Sequence, residues 1–198
     1  MTEMTEAGGP PEWEPPLSGT DAEHLTGTLE RLRATFRWKA DGLTVEQLRM
    51  RAVPTSGLTI GGLLKHLAVC EDDVFCWRIS GRPPVSWATV PEDDVGRWQF
   101  TVDPGESAGK VYGLWENAVA RSRVRLREIV AEGRLDEPGH LAFEGMRPSV
   151  RRHVHDLIEE YGRHTGHVDL LREAVDGRVG EDPPQDWPML PPDPAAWV

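Results

Sequence analysis

Three side chains that can bind a metal lie close together in the segment DLIEEYGRHTGHVDLLREAVDG, which covers residues 156–177. Glu160 and His164 are four residues apart, so in a helix they lie one turn apart on the same face. His167 follows three residues later. A carboxylate and an imidazole one turn apart can hold one divalent ion. The spacing therefore indicates a metal site that needs a further ligand from a facing helix.

His66 could be that further ligand. It lies in GGLLKHLAVCEDDVF, beside Leu63 and Leu67, at the edge of an apolar face where it could point into a bundle. Spacing alone leaves a second interpretation open, because a histidine in a helix seam is often a hydrogen-bonded core residue. Glu160, next to Glu159, could equally belong to a solvated face. The pattern by itself makes metal binding a hypothesis.

Other candidate ligands have no partners in the pattern. His153 and His155 adjoin Arg151 and Arg152 in a basic first turn and are interpreted as surface residues. Cys70 and Cys76, the only two cysteines, are six residues apart, so they lie on different helix faces and do not suit a disulfide. They are interpreted as buried structural thiols.

Four helices are predicted to position the candidate ligands. A capping box of Thr20 and Glu23 begins the first helix. The third is predicted to begin at DPGE, with Asp103 as the cap and Pro104 in the first helical position. The predicted ranges are 21–41, 60–80, 104–133 and 148–176, with Gly42, Gly81, Gly133 and Gly177 as stops.

These elements predict an all-α fold, a four-helix bundle with some long crossover connections. No convincing strand alternation is present. Residues 1–19 and 178–198 are expected to be irregular, proline-rich arms on either side of a bundle domain at 20–177. Trp13, Trp187 and Trp197 lie in these arms, which suggests that parts of both arms pack onto the body.

Composition excludes several classes of partner. The 198-residue chain has a net charge of −11 and no cluster of basic residues with interleaved aromatics, so we expect no nucleic-acid binding. No apolar segment approaches the roughly 20 residues that a membrane span needs. The N-terminal MTEMTEAGGPPEWEPP lacks the pattern of a signal peptide. A cytoplasmic location is expected.

The sequence resembles the DinB-like superfamily of metal-binding four-helix bundles, and especially its mycothiol-dependent, maleylpyruvate isomerase-like branch. The resemblance covers about residues 20–177 and rests on RATFRWKADGLTVEQL, SGLTIGGLLKHLAVCE and EEYGRHTGHVDLLREAVDG. It implies an up-down-down-up order of helices and is compatible with a homodimer. The separate C-terminal domain of the isomerase has no counterpart here, so the identity of the substrate does not follow.

The same resemblance implies which residues bind the metal. A histidine of the second helix and a Glu-x-x-x-His pair of the last helix are the ligands in this branch, which correspond to His66, Glu160 and His164. His167, one turn beyond, and Glu71 are then candidates for orienting the ligands or moving protons.

The chemistry implied is transfer of a small thiol. Two imidazoles and one carboxylate leave open positions on a zinc or nickel ion, as in catalytic sites. A thiol such as mycothiol, bound there as co-substrate, would lose its proton and attack a small electrophile. Three alternatives stay open: a metal-dependent hydrolase, a non-catalytic metal- or ligand-binding bundle, and a structural bundle without metal.

Two glycines in the last helix call for an explanation. An interior glycine costs about 1 kcal/mol relative to alanine, and Gly162 and Gly166 flank His164. Our hypothesis is that their missing side chains let a helix or a bulky thiol approach closely.

Overall fold

The computed structural model describes residues 9–188, and helices are the regular elements of that range. This confirms the predicted all-α class. The bounds are α1 Asp21–Ala40, α2 Val45–Arg49, α3 Ile60–Asp72 with a π-helical turn at Asp73–Arg78, α4 Glu92–Trp98, α5 Ala108–Ala131 and α6 Val150–Asp176.

Local capping sets most of the helix ends. The Thr20 backbone N–H donates to the Glu23 carboxylate at 2.7 Å, and the Glu23 N–H donates to the Thr20 hydroxyl at 3.3 Å, which is the predicted capping box. Gly177 ends α6 in the left-handed conformation with φ 79°. Glycine adopts that conformation without steric cost, so the last helix stops where the sequence predicts.

The predicted start of α5 is wrong. The helix begins at Ala108 and is capped by Ser107, whose hydroxyl accepts from the Lys110 N–H at 3.2 Å. Asp103 instead begins a tight turn in which its own N–H donates to the Glu106 carboxylate at 2.9 Å. That carboxylate also pairs with Lys65 of α3 at 3.0 Å. The tertiary contact therefore keeps the turn out of the helix.

Two short helices lie in segments where no helix was predicted. In α2, Thr44 and Gln47 form a second capping box. The Thr-x-x-Gln spacing is a start signal that the sequence does contain. In α4, three acidic residues occupy the first turn, where they interact favourably with the helix dipole.

The four long helices share one layer of buried polar side chains, which we call the buried polar layer: Arg33 of α1, Glu71 of α3, Trp115 of α5 and Tyr161 of α6. Arg33 donates twice to the Glu71 carboxylate, at 2.8 and 2.6 Å. Tyr161 donates to the same carboxylate at 2.7 Å, and the Trp115 indole donates to the Tyr161 oxygen at 2.8 Å. All four are fully buried, so this layer fixes how the helices face one another.

The end of α3 departs from α-helical geometry. Over Asp73–Arg78 the backbone is π-helical, and the Ile79 N–H donates to the Val74 carbonyl five residues earlier at 3.0 Å. Single π-helical turns are uncommon in proteins, but those that occur inside α-helices are often found at functional sites. Nothing in the residue pattern distinguishes this turn from a continuous helix to Ser80.

Parts of both arms lie against the body. Trp13 is buried, and its indole N–H donates to the Pro184 carbonyl at 3.3 Å. The Arg37 guanidinium of α1 lies 5.2 Å from the centre of the Trp187 ring. Trp197 lies outside the described residues. Across residues 9–188, no helix is both long enough and apolar enough to cross a membrane.

Candidate metal centre

His66, Glu160 and His164 converge between α3 and α6, and we call them the His–Glu–His cluster. The Glu160 Oε2 atom lies 3.5 Å from His66 Nε2 and 3.3 Å from His164 Nε2. One ligand atom from each residue lies within 4.8 Å of the others. The structure thus brings together the three residues that the resemblance implied.

The spacing fits a small divalent ion. Ligands at about 2.0–2.1 Å from a tetrahedral zinc are about 3.3 Å apart. The two separations from Glu160 Oε2, at 3.3 and 3.5 Å, agree with that spacing. Nitrogen and oxygen donors of this kind suit zinc or nickel.

The segment after α4 orients His66. Gln99 Oε1 lies 2.8 Å from His66 Nδ1, and the Phe100 ring stacks on the imidazole with centroids 4.6 Å apart. An amide oxygen only accepts, so the His66 Nδ1 carries the proton. In the neutral imidazole, Nε2 then presents a lone pair to the Glu160 carboxylate. Two acceptors facing each other at 3.5 Å favour a cation between them.

A glycine pair lets that segment reach α3. A Cβ added at Gly62 would lie 2.6 Å from the Phe100 carbonyl oxygen, and one added at Gly61 would lie 2.6 Å from a Val102 methyl group. Both contacts are shorter than real Cβ atoms make. The two glycines therefore allow the connection to close over α3, where it supplies the Gln99 and Phe100 contacts to His66.

His167 lies beside His164. Their Nδ1 atoms are 3.2 Å apart, so one of them donates and the other accepts. If His164 presents its Nε2 lone pair to a metal, its Nδ1 donates to His167. Burial, together with the neighbouring His66, lowers the pKa of His164 to about 4. His164 is therefore neutral at physiological pH, as a ligand must be.

Cys70 is a close neighbour of the cluster that sequence reasoning missed. Its Sγ lies 3.5 Å from His66 Nε2, and its position four residues after His66 was the available signal. Burial and the Glu160 carboxylate raise the pKa of the Cys70 thiol well above its ordinary value. Without a bound ion, Cys70 is thus a neutral thiol. Both cysteines are only partly buried, not fully as interpreted.

Glu71 lies elsewhere. Its carboxylate belongs to the buried polar layer, where Arg33 and Tyr161 occupy both oxygens. No described contact joins it to the His–Glu–His cluster. Tyr161, its partner, directly follows Glu160 in the chain.

The surface position interpreted for His153 is wrong, and of the two explanations for the glycines the approach of a helix is not supported, while the approach of a thiol stays a prediction. His153 is buried, with only 1% of its surface exposed, because the Gly139 backbone lies against its ring; burial and the nearby Arg78 charge lower the pKa of His153. His155 is exposed as expected. No atom lies within 4 Å of a Cβ added at Gly162 or Gly166, so no helix packs closely there among the described residues.

The centre opens into a groove between α3 and α6. The Glu160 side chain remains 42% exposed, and both Glu160 and Cys70 line the near end of the groove. A small molecule that enters the groove can therefore reach the Glu160 edge of the His–Glu–His cluster.

The chain matches a known protein family. A family model described as "Mycothiol-S-transferase" matches residues 24–177, well over half of the chain and all four long helices except the first residues of α1. A search of curated proteins finds no match.

Proposed function

Because the chain belongs to the mycothiol-S-transferase family, we propose that it is a metal-dependent enzyme that moves a mycothiol-like thiol to a small electrophilic substrate. One observation carries the metal dependence. The Gln99 contact fixes the His66 tautomer so that the Nε2 lone pair faces the Glu160 carboxylate, with His164 Nε2 completing the set.

We propose His66, Glu160 and His164 as the metal ligands, with zinc favoured and nickel as the alternative. A divalent ion held there would lower the pKa of a thiol bound beside it, so that the thiol reacts as its thiolate. Three protein ligands leave room for that thiol. The partly exposed Glu160 edge is where it would enter from the groove.

The surrounding residues have distinct roles in this proposal. His167 accepts from His164 Nδ1 and so orients that ligand; its own remaining proton then sits on Nε2, so it does not serve as a base. Glu71 acts through the buried polar layer. It accepts a hydrogen bond from Tyr161, and because Tyr161 directly follows Glu160 in the chain, this bond helps to hold Glu160 in position. Both are positioning residues.

We also propose that the four long helices follow an up-down-down-up order. Helices α1 and α6 run in the same direction, because residue numbers rise together along their contacts. These contacts are Arg33 with Tyr161 and Lys39 with Asp169. Helices α3 and α6 are antiparallel, because His66 lies against His164 whereas the later Arg78 lies near the earlier His153. Helices α1 and α5 are antiparallel as well, because Glu30 pairs with Arg123 and Arg37 pairs with Glu116. Three other expectations remain predictions: the boundaries of the bundle domain at residues 20 and 177, a homodimer, and a cytoplasmic location.

Elemental analysis of untagged protein tests the metal. We expect about one zinc or nickel per chain in the wild type and in the control His155→Ala, whose histidine is exposed on the same helix, and almost none in His164→Ala. Mycothiol transfer to chlorodinitrobenzene should follow the metal content. Absence of metal after soaking in zinc would overturn the proposal.

Two further outcomes would redirect it. Stoichiometric metal with ester hydrolysis but no thiol transfer would indicate a hydrolase. Stoichiometric metal with thiol binding but neither reaction would indicate a non-catalytic binder.

A further inference from the structure

A second cavity lies where the π-helical turn and the segment 82–85 meet α5, and we call it the α5 cavity. Its volume is about 340 Å³, which is within the range of pockets that hold small molecules. His66, Glu160 and His164 are not among the described residues that line it. The α5 cavity is therefore separate from the candidate metal centre.

The π-helical turn lies between the two spaces. Phe75 and Cys76 line the α5 cavity, whereas Arg78 lines the far end of the groove beside the metal centre, eight residues after Cys70. Among the described residues, none lines both the cavity and the groove. A ligand in the α5 cavity would thus occupy a space of its own.

Positive charge is in excess around the α5 cavity. Arg82, Arg121 and Arg125 line it, against the single carboxylate of Glu128. Arg82 is exposed, and within residues 9–188 its side chain has no hydrogen bond or ion pair. This local excess contrasts with the net charge of −11 of the whole chain, so the cavity is a place where an anion is attracted and not repelled.

The Arg121 guanidinium is held in place from one side. Its Nε and Nη2 atoms donate to the two oxygens of the buried Asp72 carboxylate at 3.1 and 2.8 Å. The Ser86 backbone N–H and hydroxyl donate to the same carboxylate, both at 2.6 Å. These contacts leave the two N–H groups of Arg121 Nη1 for a ligand. A donor that is fixed before binding loses little conformational entropy when the ligand arrives.

Arg125 offers a second set of donors. Its Nε atom donates to the Ser80 hydroxyl at 3.2 Å, and its Nη1 atom donates to the Glu128 carboxylate at 3.1 Å. The Glu128 side chain is 52% exposed, so this ion pair contributes little. The Nη2 group has no acceptor among the described residues, and an anion in the cavity can accept from it.

Apolar side chains form the rest of the wall. Val85 and Val124 are exposed hydrophobic residues, and both line the α5 cavity together with Phe75. Covering them removes apolar surface from water, which favours binding of an apolar group. An apolar wall beside arginines matches a ligand whose apolar body ends in an anionic group.

The charge balance indicates which anion. Three guanidiniums, against the carboxylates of Glu128 and Asp72, leave one positive charge. A singly charged group neutralises it, and the planar carboxylate matches the fork of guanidinium N–H groups.

We propose that the α5 cavity binds a small monocarboxylic acid with an apolar body, at a site independent of the metal centre. The carboxylate accepts from Arg121 and Arg125, and Arg82 supplies the unbalanced charge. The apolar body covers Val85 and Val124.

Calorimetric titration of the full chain tests this site. The probes are 4-phenylbutyrate and octanoate, each compared with its neutral amide. We expect an acid to bind at least about tenfold more tightly than its amide, because the ionised acceptor makes the stronger hydrogen bonds. Arg82→Gln and Arg125→Gln should each weaken binding of the acid about tenfold. The control Arg97→Gln removes the same charge from an exposed position on α4 and should leave the affinity unchanged.

The carboxylate of a probe could also bind a metal ion, so His164→Ala is titrated in parallel. Unchanged affinity in His164→Ala supports the α5 cavity, whereas loss of binding there would place the acid at the metal centre and overturn the assignment. Equal affinity for acid and amide, unchanged affinity in both arginine variants, or no binding of either acid to the wild type would overturn it as well. Thermal melting shows whether each variant is folded, and Arg82→Gln, which breaks no described side-chain contact, still provides the test if Arg125→Gln is not.

Discussion

The buried polar layer spans all four long helices and the His–Glu–His cluster lies on two of them, α3 and α6, and the polar atoms of the two regions are satisfied in opposite ways. In the layer, both oxygens of the Glu71 carboxylate accept from Arg33 or Tyr161. In the cluster, Glu160 Oε2 has two imidazole nitrogens at 3.3 and 3.5 Å, and the tautomer of His66 gives one of them no proton to donate.

The difference shows how polar groups in a bundle can be distinguished. Where donors match acceptors, as around Glu71, the arrangement is complete and serves the fold. Where acceptors converge, as around Glu160, the proposed cation would complete the arrangement. Glu71 and Glu160 are both single carboxylates between helices, so their neighbours, and not their residue type, determine their roles.

The strongest test of this comparison removes the carboxylate of the layer. Glu71→Ala leaves the buried Arg33 guanidinium without its main partner, and we expect a loss of about 3–5 kcal/mol in the free energy of unfolding. Urea denaturation measures it. The double variant Arg33→Leu/Glu71→Leu should lose less than Glu71→Ala, because no charge is left unpaired. A loss below about 1 kcal/mol in Glu71→Ala would contradict the structural role of the layer.

Metal should stabilise the cluster by a smaller amount. Free zinc at about a hundredfold above its Kd contributes about 2.7 kcal/mol, which raises Tm by about 5–10 °C for a chain of this size. His164→Ala should abolish the zinc-induced shift. Differential scanning calorimetry with zinc and with a chelator gives the values, and an equal shift in both proteins would place the zinc at another site.

The contact that orients His66 can be weakened through its support. In Gly62→Ala, the new methyl group meets the Phe100 carbonyl, and we expect a cost of about 1–3 kcal/mol in unfolding free energy. Zinc affinity should fall as well, because the segment with Gln99 and Phe100 must move. A competition assay with a zinc dye measures the second effect. The control Gly113→Ala, whose new methyl group would make only an ordinary contact with the Asn117 side chain at 3.9 Å, should keep the affinity.

The smallest effect should have the opposite sign. Gly162→Ala and Gly166→Ala place methyl groups where no atom lies within 4 Å, so each should stabilise α6 by up to about 1 kcal/mol. Urea denaturation of the double variant, with zinc content determined in parallel, checks this. Destabilisation would show that these positions are constrained by a contact outside residues 9–188 or between chains.

Local signals in the sequence predict only part of the cluster, because His66 was joined to Glu160 and His164 by the family resemblance. The four-residue spacing of Glu160 and His164 and the capping of Thr20 are properties of single helices. The contacts around His66 are different in kind, because Gln99 is 33 residues away. Only folding brings it there. Asp103 fails as a cap for the same reason, since the ion pair of Glu106 with Lys65 links segments 41 residues apart.

His153 illustrates a further limit. Its basic neighbours suggested a surface position, yet its ring lies under the Gly139 segment. A neighbouring residue in sequence faces a different direction on a helix, so the polarity of Arg152 says little about the adjacent side chain. Burial of His153 depends on where the connection before α6 runs.

The π-helical turn at Asp73–Arg78 also sets the direction in which Arg78, its last residue, faces relative to the regular part of α3. One residue in an α-helix corresponds to about 100° of rotation, so a wide turn behaves like a single inserted residue. Deleting one residue of the turn before Arg78 would rotate Arg78 by about this angle relative to the residues of α3 before the turn. Arg78 and Glu160 could then no longer lie along one groove. The irregular turn is thus the point at which a one-residue change in chain length alters the relation between the two ends of the groove.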